Sequence, residues 1–348
     1  MHYLSQLYSQ VGTSIKLTPG PDLEERQQKQ RRYIEKSVFY LERWMKNNPK
    51  VTQDDELYLA DALFNLASTA TGHDATDLFN QATDAAQKGL LMAVNPREGL
   101  YYVEAAAAEQ NGNLERAAEL LELLLQRNPD NKSYPPQLMV IYLNLAGTAK
   151  QEVNIRKYYI RAINAIERAQ AHGLMNDQKT NLNLVTIYYD MGEFAQATQL
   201  LDTDLKNGGI DPAEKNWQIL AYCYQQLDEN KQAIEAYKDA EKLYPDNGQF
   251  DFSIGQIYTS MDDLDDAYQY YLAAQQKGNV TVPYALYINI AYSAFELQKF
   301  DEGLKACDEA AKYPQAAKDS QLPQLRAAIE DRIKQRESAK KADAAAAL

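Results

Sequence analysis

Apolar residues recur along this chain three and four residues apart, the spacing of one helix face, and no stretch shows the period-two alternation of a half-buried strand. In 214–247, Trp217, Leu220, Ala221 and Tyr224 mark one face of a first helix. Ala233, Tyr237 and Ala240 mark a face of a second, and Pro245 closes the stretch. These residues fall at positions 4, 7, 8, 11, 20, 24, 27 and 32 of a 34-residue unit. The grid returns in 248–281 with Ile254, Gly255, Tyr258, Ala267, Tyr271 and Ala274. It returns in 284–317 with Tyr287, Ile290, Ala291, Gly303, Cys307 and Ala310, where Pro314 closes one place early. Upstream, 178–211 keeps Leu184, Tyr188, Ala197 and Leu201 before a Gly208-Gly209 stop, and 98–131 keeps Tyr101, Ala105, Ala108, Ala117, Leu121, Leu124 and Pro129. Such a unit has too little apolar surface to fold alone and must stack on its neighbours.

In W-x2-L-G-x2-Y, A-x3-F and a closing Pro, 214–247 resembles the tetratricopeptide repeat, departing by Ala221 for Gly and Tyr237 for Phe. The resemblance implies an all-α, right-handed superhelical solenoid of antiparallel helix pairs, ending in a capping helix expected at 318–336. The remaining stretches are assigned by periodicity. N-terminal helices occupy 1–50, a degenerate pair 54–95, and a degenerate repeat with an insertion 134–172. A flexible tail is expected at 337–348.

The composition is 45% hydrophobic, enough for a core, with 36 basic and 49 acidic residues and a formal net charge of −13. No run of Lys and Arg stands out as the basic stripe that phosphate neutralisation needs, so nucleic acid is not an expected partner. Cys223 and Cys307 fall inside repeat helices, one whole unit apart and outside any C-x-x-C, so they read as packed thiols rather than a redox pair. No apolar run is long enough to span a bilayer, and membrane contact is expected only through partners or an anchor outside this sequence. Residues 1–10 lack the basic and apolar regions of a signal peptide.

On the first helix of each unit, positions 2, 5, 9 and 12 centre well away from the packing face at 4, 7, 8 and 11. In the tetratricopeptide family the former set lines the concave groove. Here it supplies Lys179, Tyr189, Gln218, Tyr222, Gln225, Phe252, Gln256, Tyr292 and Phe295, with Tyr102 at the matching place in 98–131. Aromatic rings offer contact area at modest entropic cost, and amides pair with an extended backbone, so these ten form the candidate partner groove. The alternative is that the aromatics pack against second helices. Lys179 and Asn183 give only a fragment of the basic clamp by which some family members hold acidic tails.

Catalysis is not expected, nor a cofactor or metal. His2, His73 and His172 are scattered, none in H-E-x-x-H, and no phosphate-binding glycine loop or nucleophile elbow occurs. The acidic run Asp262-Asp263-Leu264-Asp265-Asp266 opens a second helix, where aspartates satisfy free N–H groups, and it lacks the ligand alternation of a calcium loop.

Residues 178–335 further resemble tetratricopeptide proteins encoded beside TonB-type energy-transduction systems. The words that carry this are Trp217 through Asp246-Asn247-Gly248, Gly255-Gln256-Ile257-Tyr258, and Phe295-Glu296-Leu297-Gln298-Lys299-Phe300-Asp301. That resemblance implies a periplasmic, non-catalytic adaptor working near TonB, ExbB and ExbD-type components. The alternative is a generic peptide-binding scaffold, cytoplasmic or in the envelope.

Overall fold

The computed structural model describes residues 1–346, and over them the chain is all-helical, with no strand. It divides into two compact units, residues 1–180 and 181–348. The first holds α1 (His2–Ser14), α2 (Leu23–Lys46), α3 (Gln53–Ala67), α4 (Gly72–Leu91), α5 (Glu98–Gln110), α6 (Leu114–Arg127), α7 (Tyr134–Thr148) and α8 (Glu152–Ala171). Helix α9 (Gln178–Asp190) begins at its end. The second unit continues with α10 (Phe194–Asn207), α11 (Glu214–Gln226), α12 (Asn230–Leu243), α13 (Gly248–Ser260), α14 (Leu264–Lys277), α15 (Pro283–Glu296), α16 (Phe300–Ala310) and α17 (Gln321–Ala346). A 3-10 turn at Pro314–Ala317 precedes α17.

Consecutive helices pack as antiparallel pairs, and small residues at position 20 let them approach. Ala117, Ala197, Ala233 and Ala267 are completely buried there. Gly303 takes the same place in α16, where an added Cβ would stand 3.0 Å from Ile329 of α17. The grid residues form continuous cores: Trp217, Leu220, Ala221, Tyr237 and Ala240 pack with Ala197, Leu201 and Phe250 of the flanking helices.

A second device repeats at position 15, between the two helices of each regular pair. Gly112, Gly192, Asp228, Asp262 and Gln298 all have φ between 58° and 77°. Each is followed by an amide that donates back to a carbonyl of the first helix: Asn113 to Ala108, Glu193 to Tyr188, Glu229 to Tyr224, Asp263 to Tyr258 and Lys299 to Ala294, at 2.7 to 3.0 Å. This is a Schellman stop, which satisfies orphan carbonyls and aims the next helix antiparallel. The following residue then caps the second helix where its side chain allows. Asp263 Oδ1 accepts from the Asp266 amide, which places the acidic run 262–266 in a capping role.

The pairs α3–α4 and α7–α8 lack this stop. Their second helices run to 20 residues each, against 14 for α10, α12 and α14. Helix α3 is instead fixed by a capping box, in which Thr52 accepts from the Asp55 amide and Asp55 accepts from the Thr52 amide.

The C-terminal helix runs past the 318–336 expected for a cap, and residues 347 and 348 of the tail expected at 337–348 lie outside the described residues. It starts at Gln321 and continues to Ala346. Ala and Lys dominate 339–346, and their high helix propensity suits the last turns of this helix. Its packed part is Leu322 and Ile329, buried against α15 and α16.

Candidate functional site

Eight of the ten groove candidates belong to the second unit; Tyr102 and Lys179 belong to the first. Within the second unit the structure gathers some of them and separates others. Tyr189 near the end of α9 and Tyr222 of α11 meet with ring centroids 5.6 Å apart. Phe194, the first residue of α10, stands edge-on to both, at 5.9 and 6.1 Å. Tyr222 remains 41% exposed, so this three-ring cluster has an open face. Burial pushes the Tyr189 phenol above its ordinary range, and the neighbouring Tyr222 adds to the shift. Gln218 and Gln225 of α11 are half-buried, and Gln256 of α13 is exposed.

Phe252 is a correction. It is 5% exposed and packs on Tyr271 of α14 at 5.8 Å, within the core shared with α15. Its position on the helix wheel matches that of Gln218, but Gly255 one turn on lets the Tyr271 ring lie close, and Phe252 fills the remaining space. A Cβ at Gly255 would stand 2.6 Å from that ring. Phe252 offers no surface to a partner.

Tyr292 of α15 is 43% exposed, and Phe295 one turn later is half-buried against Phe300, the first residue of α16, at 6.2 Å. Phe295 and Phe300 floor a cleft of about 610 Å³ whose other walls are Glu296, Gln298, Arg332, Gln335 and Arg336. In the first unit, Tyr102 is 37% exposed, packs on Tyr134 at 5.9 Å and accepts a 3.4 Å bond from the Gln137 amide. Lys179 is exposed on the first turn of α9.

Sequence reasoning missed Phe194 and Phe300. Both sit at position 17, three places before the second-helix grid begins at position 20. The signal was available: an aromatic two residues after the position-15 stop lies beside position 12 of the first helix, because the stop folds the chain straight back.

The buried polar groups are structural. Glu104 of α5 is 1% exposed and accepts from Arg116 Nη2 at 2.9 Å and from the Gln87 amide at 3.0 Å. Lys277 of α14 bridges Glu241 at 3.0 Å and buried Asp251 at 2.7 Å, and burial pushes Glu241 upward. Cys223 and Cys307 are fully buried free thiols, and burial pushes Cys223 up to about 11. Among the described residues, no three His, Cys, Asp or Glu side chains converge as metal ligands, and no helix is long and apolar enough to cross a membrane.

Comparison with known proteins bears on the repeats. No curated protein matches the chain in sequence. Among solved structures, a tetratricopeptide repeat protein from Parabacteroides merdae is 12% identical, covering 84% of this chain and 99% of its own, with a TM-score of 0.40. YrrB, described as a tetratricopeptide protein with an unusual peptide-binding site, is 15% identical over 59% of this chain and 96% of its own, with a TM-score of 0.40. MamA is 22% identical over 51% and 92%, with a TM-score of 0.38. The tetratricopeptide family profile matches residues 214–247 and 252–276. Helices α11 to α14, with their shared grid and shared stop, are therefore tetratricopeptide repeats.

Proposed function

We infer that the chain is a non-catalytic scaffold that holds an extended protein segment on the exposed aromatic surface of its second unit. The observation that carries this is the ring cluster of Tyr189, Phe194 and Tyr222, open on one face and flanked by the amides of Gln218 and Gln225. Three rings already packed on one another are preorganised, so a partner side chain laid across them costs little further ordering. The half-buried glutamines can donate to and accept from a passing backbone. Tyr292, Phe295 and the cleft beside Arg332 and Arg336 give a second contact region, suited to a segment with aromatic or acidic side chains.

The specific setting we propose is the periplasm, beside a TonB-type system, with TonB, ExbB or ExbD-type components as partners. That part rests on the likeness of residues 178–335 to proteins of such systems. The test is capture from envelope extract by the wild type and by Tyr189→Ala/Tyr222→Ala, followed by titration of the recovered component. Each truncation is expected to weaken binding by about 1–2 kcal/mol. Equal recovery by a folded variant would remove the aromatic cluster as the site. Recovery of partners unrelated to energy transduction would leave the scaffold and discard its TonB setting.

A further inference from the structure

Helix α2 carries Lys29, Arg32, Lys36, Phe39, Arg43 and Lys46 at alternating steps of three and four residues. That spacing keeps all six on one face. All are exposed, Phe39 at 55%. The face is turned away from α3, because Val38 on the other side of α2 packs with Ala60 and Leu63 of α3. Nearby Arg26 and Arg31 are held by Asp22 at 3.2 Å and Glu35 at 2.9 Å. Among the described residues, no carboxylate lies within ion-pair distance of the five cations on the stripe; Lys36 rests over the Tyr8 ring at 5.4 Å. This corrects the expectation from the linear sequence that no basic stripe exists. Glu35 and Glu42 dilute the cations along the chain and lie at the edge of the stripe, Glu35 paired with Arg31, while exposed Glu25 begins the same row one turn before Lys29.

Beside it lies α1, which contains no Asp, Glu, Lys or Arg. Its inner face is settled by contacts: Ser5 meets Ser37 of α2 at 3.1 Å, Tyr8 stacks on Tyr40 at 5.6 Å, and His2 reaches Asp55 of α3 at 3.1 Å. Leu4, Leu7 and Val11, again three and four apart, are left 39%, 42% and 36% exposed, with Tyr3 at 74%. The charge of the whole chain is divided unevenly around this end. Residues 1–50 hold nine basic and five acidic side chains, and the rest of the chain holds 27 and 44.

We propose that the α1–α2 end of the first unit is a binding surface for an anionic lipid bilayer. Leu4, Leu7, Val11 and Phe39 enter the interfacial layer, and the α2 cations meet the phosphate headgroups. An apolar row beside a basic row is what the headgroup–acyl boundary selects for. The net-negative remainder is repelled by the same headgroups, which favours approach by this end. A second copy docked face to face would set two basic stripes against one another, and a nucleic acid offers no apolar layer for the leucines. The surface and the aromatic cluster belong to different units and share no residue, so the proposal stands independently of the scaffold reading.

The experiment is flotation of the whole chain with vesicles of phosphatidylcholine alone, or with a third of the lipid replaced by phosphatidylglycerol. Wild type should float only with the anionic vesicles, and less so as salt rises. Arg32→Glu/Lys36→Glu should lower the partition coefficient about tenfold or more. Leu7→Asn/Phe39→Ser, which keeps the charge, should lower it about fivefold. All four side chains are exposed, so circular dichroism should be unchanged, and Tyr189→Ala/Tyr222→Ala should float as wild type does. Absence of flotation with anionic vesicles overturns the proposal. So does flotation indifferent to Leu7→Asn/Phe39→Ser, which would mean adsorption of charge alone. Self-association or capture of an acidic protein, lost with the same charge variants and without vesicle binding, would give the surface to another occupant.

Discussion

The helix pairs from α9 to α16 and those from α1 to α4 are built from the same element but held by different means. In the former, approach is set by absent atoms: Ala at position 20, Gly255 under the Tyr271 ring, and one left-handed residue at position 15. In the latter, alanines such as Ala60, Ala82 and Ala86 still pack α3 on α4, but hydrogen-bonded polar groups join α1, α2 and α3. Ser5, Ser37 and the Tyr58 hydroxyl form one buried cluster, and a capping box opens α3. Small-residue packing repeats because it depends only on backbone spacing. Polar packing is specific to the pair that makes it.

The sharpest test of approach set by absent atoms is to add one carbon where two backbones meet and one where nothing lies near. At Gly248, the first residue of α13, a Cβ would stand 2.3 Å from the Gly278 carbonyl oxygen and 2.6 Å from that of Ala274. Both are backbone atoms at the end of α14, and the Gly248 amide donates to the first of them at 3.0 Å. Gly248→Ala should therefore destabilise the second unit by about 3 kcal/mol in denaturant unfolding. The same change at Gly147, in α7 with nothing within 4 Å, should stabilise by about 0.5–1 kcal/mol. Equal effects at the two sites would refute the distinction.

Next in size is a buried polar contact inside a regular pair, between Glu104 of α5 and Arg116 of α6. Arg116→Ala would leave Glu104 buried with only Gln87 as a donor. An uncompensated buried carboxylate is costly, and water reaching through the half-exposed Arg116 site reduces that cost to about 2 kcal/mol. Chemical denaturation at neutral pH measures it. A double change that also makes Glu104→Gln should recover most of the loss, since the neutral amide needs no cation.

These differences explain what could be read from the residues. The grid of Trp217, Ala221, Ala233 and Tyr237 is legible because each marks a place where two backbones come close, and that demand is the same in every unit. The position-15 stop was hidden because Asp228 and Gln298 do not advertise a left-handed backbone as Gly192 does. Phe252 was misplaced because the helix wheel distinguishes two faces of α13, while the ring's burial depends on α14 and α15. The basic stripe of α2 was missed for a related reason: a linear scan counts Glu35 and Glu42 among the cations, and only the helix sets Lys29, Arg32, Lys36, Arg43 and Lys46 in one row.

The two units should behave alike where burial of a phenol is concerned. Burial pushes both Tyr142 in the first unit and Tyr271 in the second up to about 12. Tyr142 donates to Glu122 at 3.1 Å, and Tyr271 pairs with the Thr259 hydroxyl at 2.8 Å. A folded phenol whose pKa is raised holds its proton more tightly than the unfolded one. Its contribution is complete below pH ~10 and is lost as pH rises through about 12. Helical circular dichroism should fall in that window together with a late step of tyrosinate absorbance. Complete ionisation with the helices intact would show the rings to be more open than the structure has them.

The smallest expected effect tests the shared stop itself. Asp228 and Gly192 occupy the same position with φ of 58° and 71°. An L-residue there crowds its Cβ against the backbone, though aspartate tolerates the conformation better than most. Asp228→Gly should then stabilise by about 0.5 kcal/mol, and Gly192→Ala should destabilise by about 1 kcal/mol. Neither site touches the core, since Asp228 is exposed and a Cβ at Gly192 meets nothing within 4 Å. The pair of changes therefore isolates backbone conformation from packing. If both lowered stability, the Asp228 side chain would be contributing a contact of its own, and the position-15 turn would not be interchangeable between units.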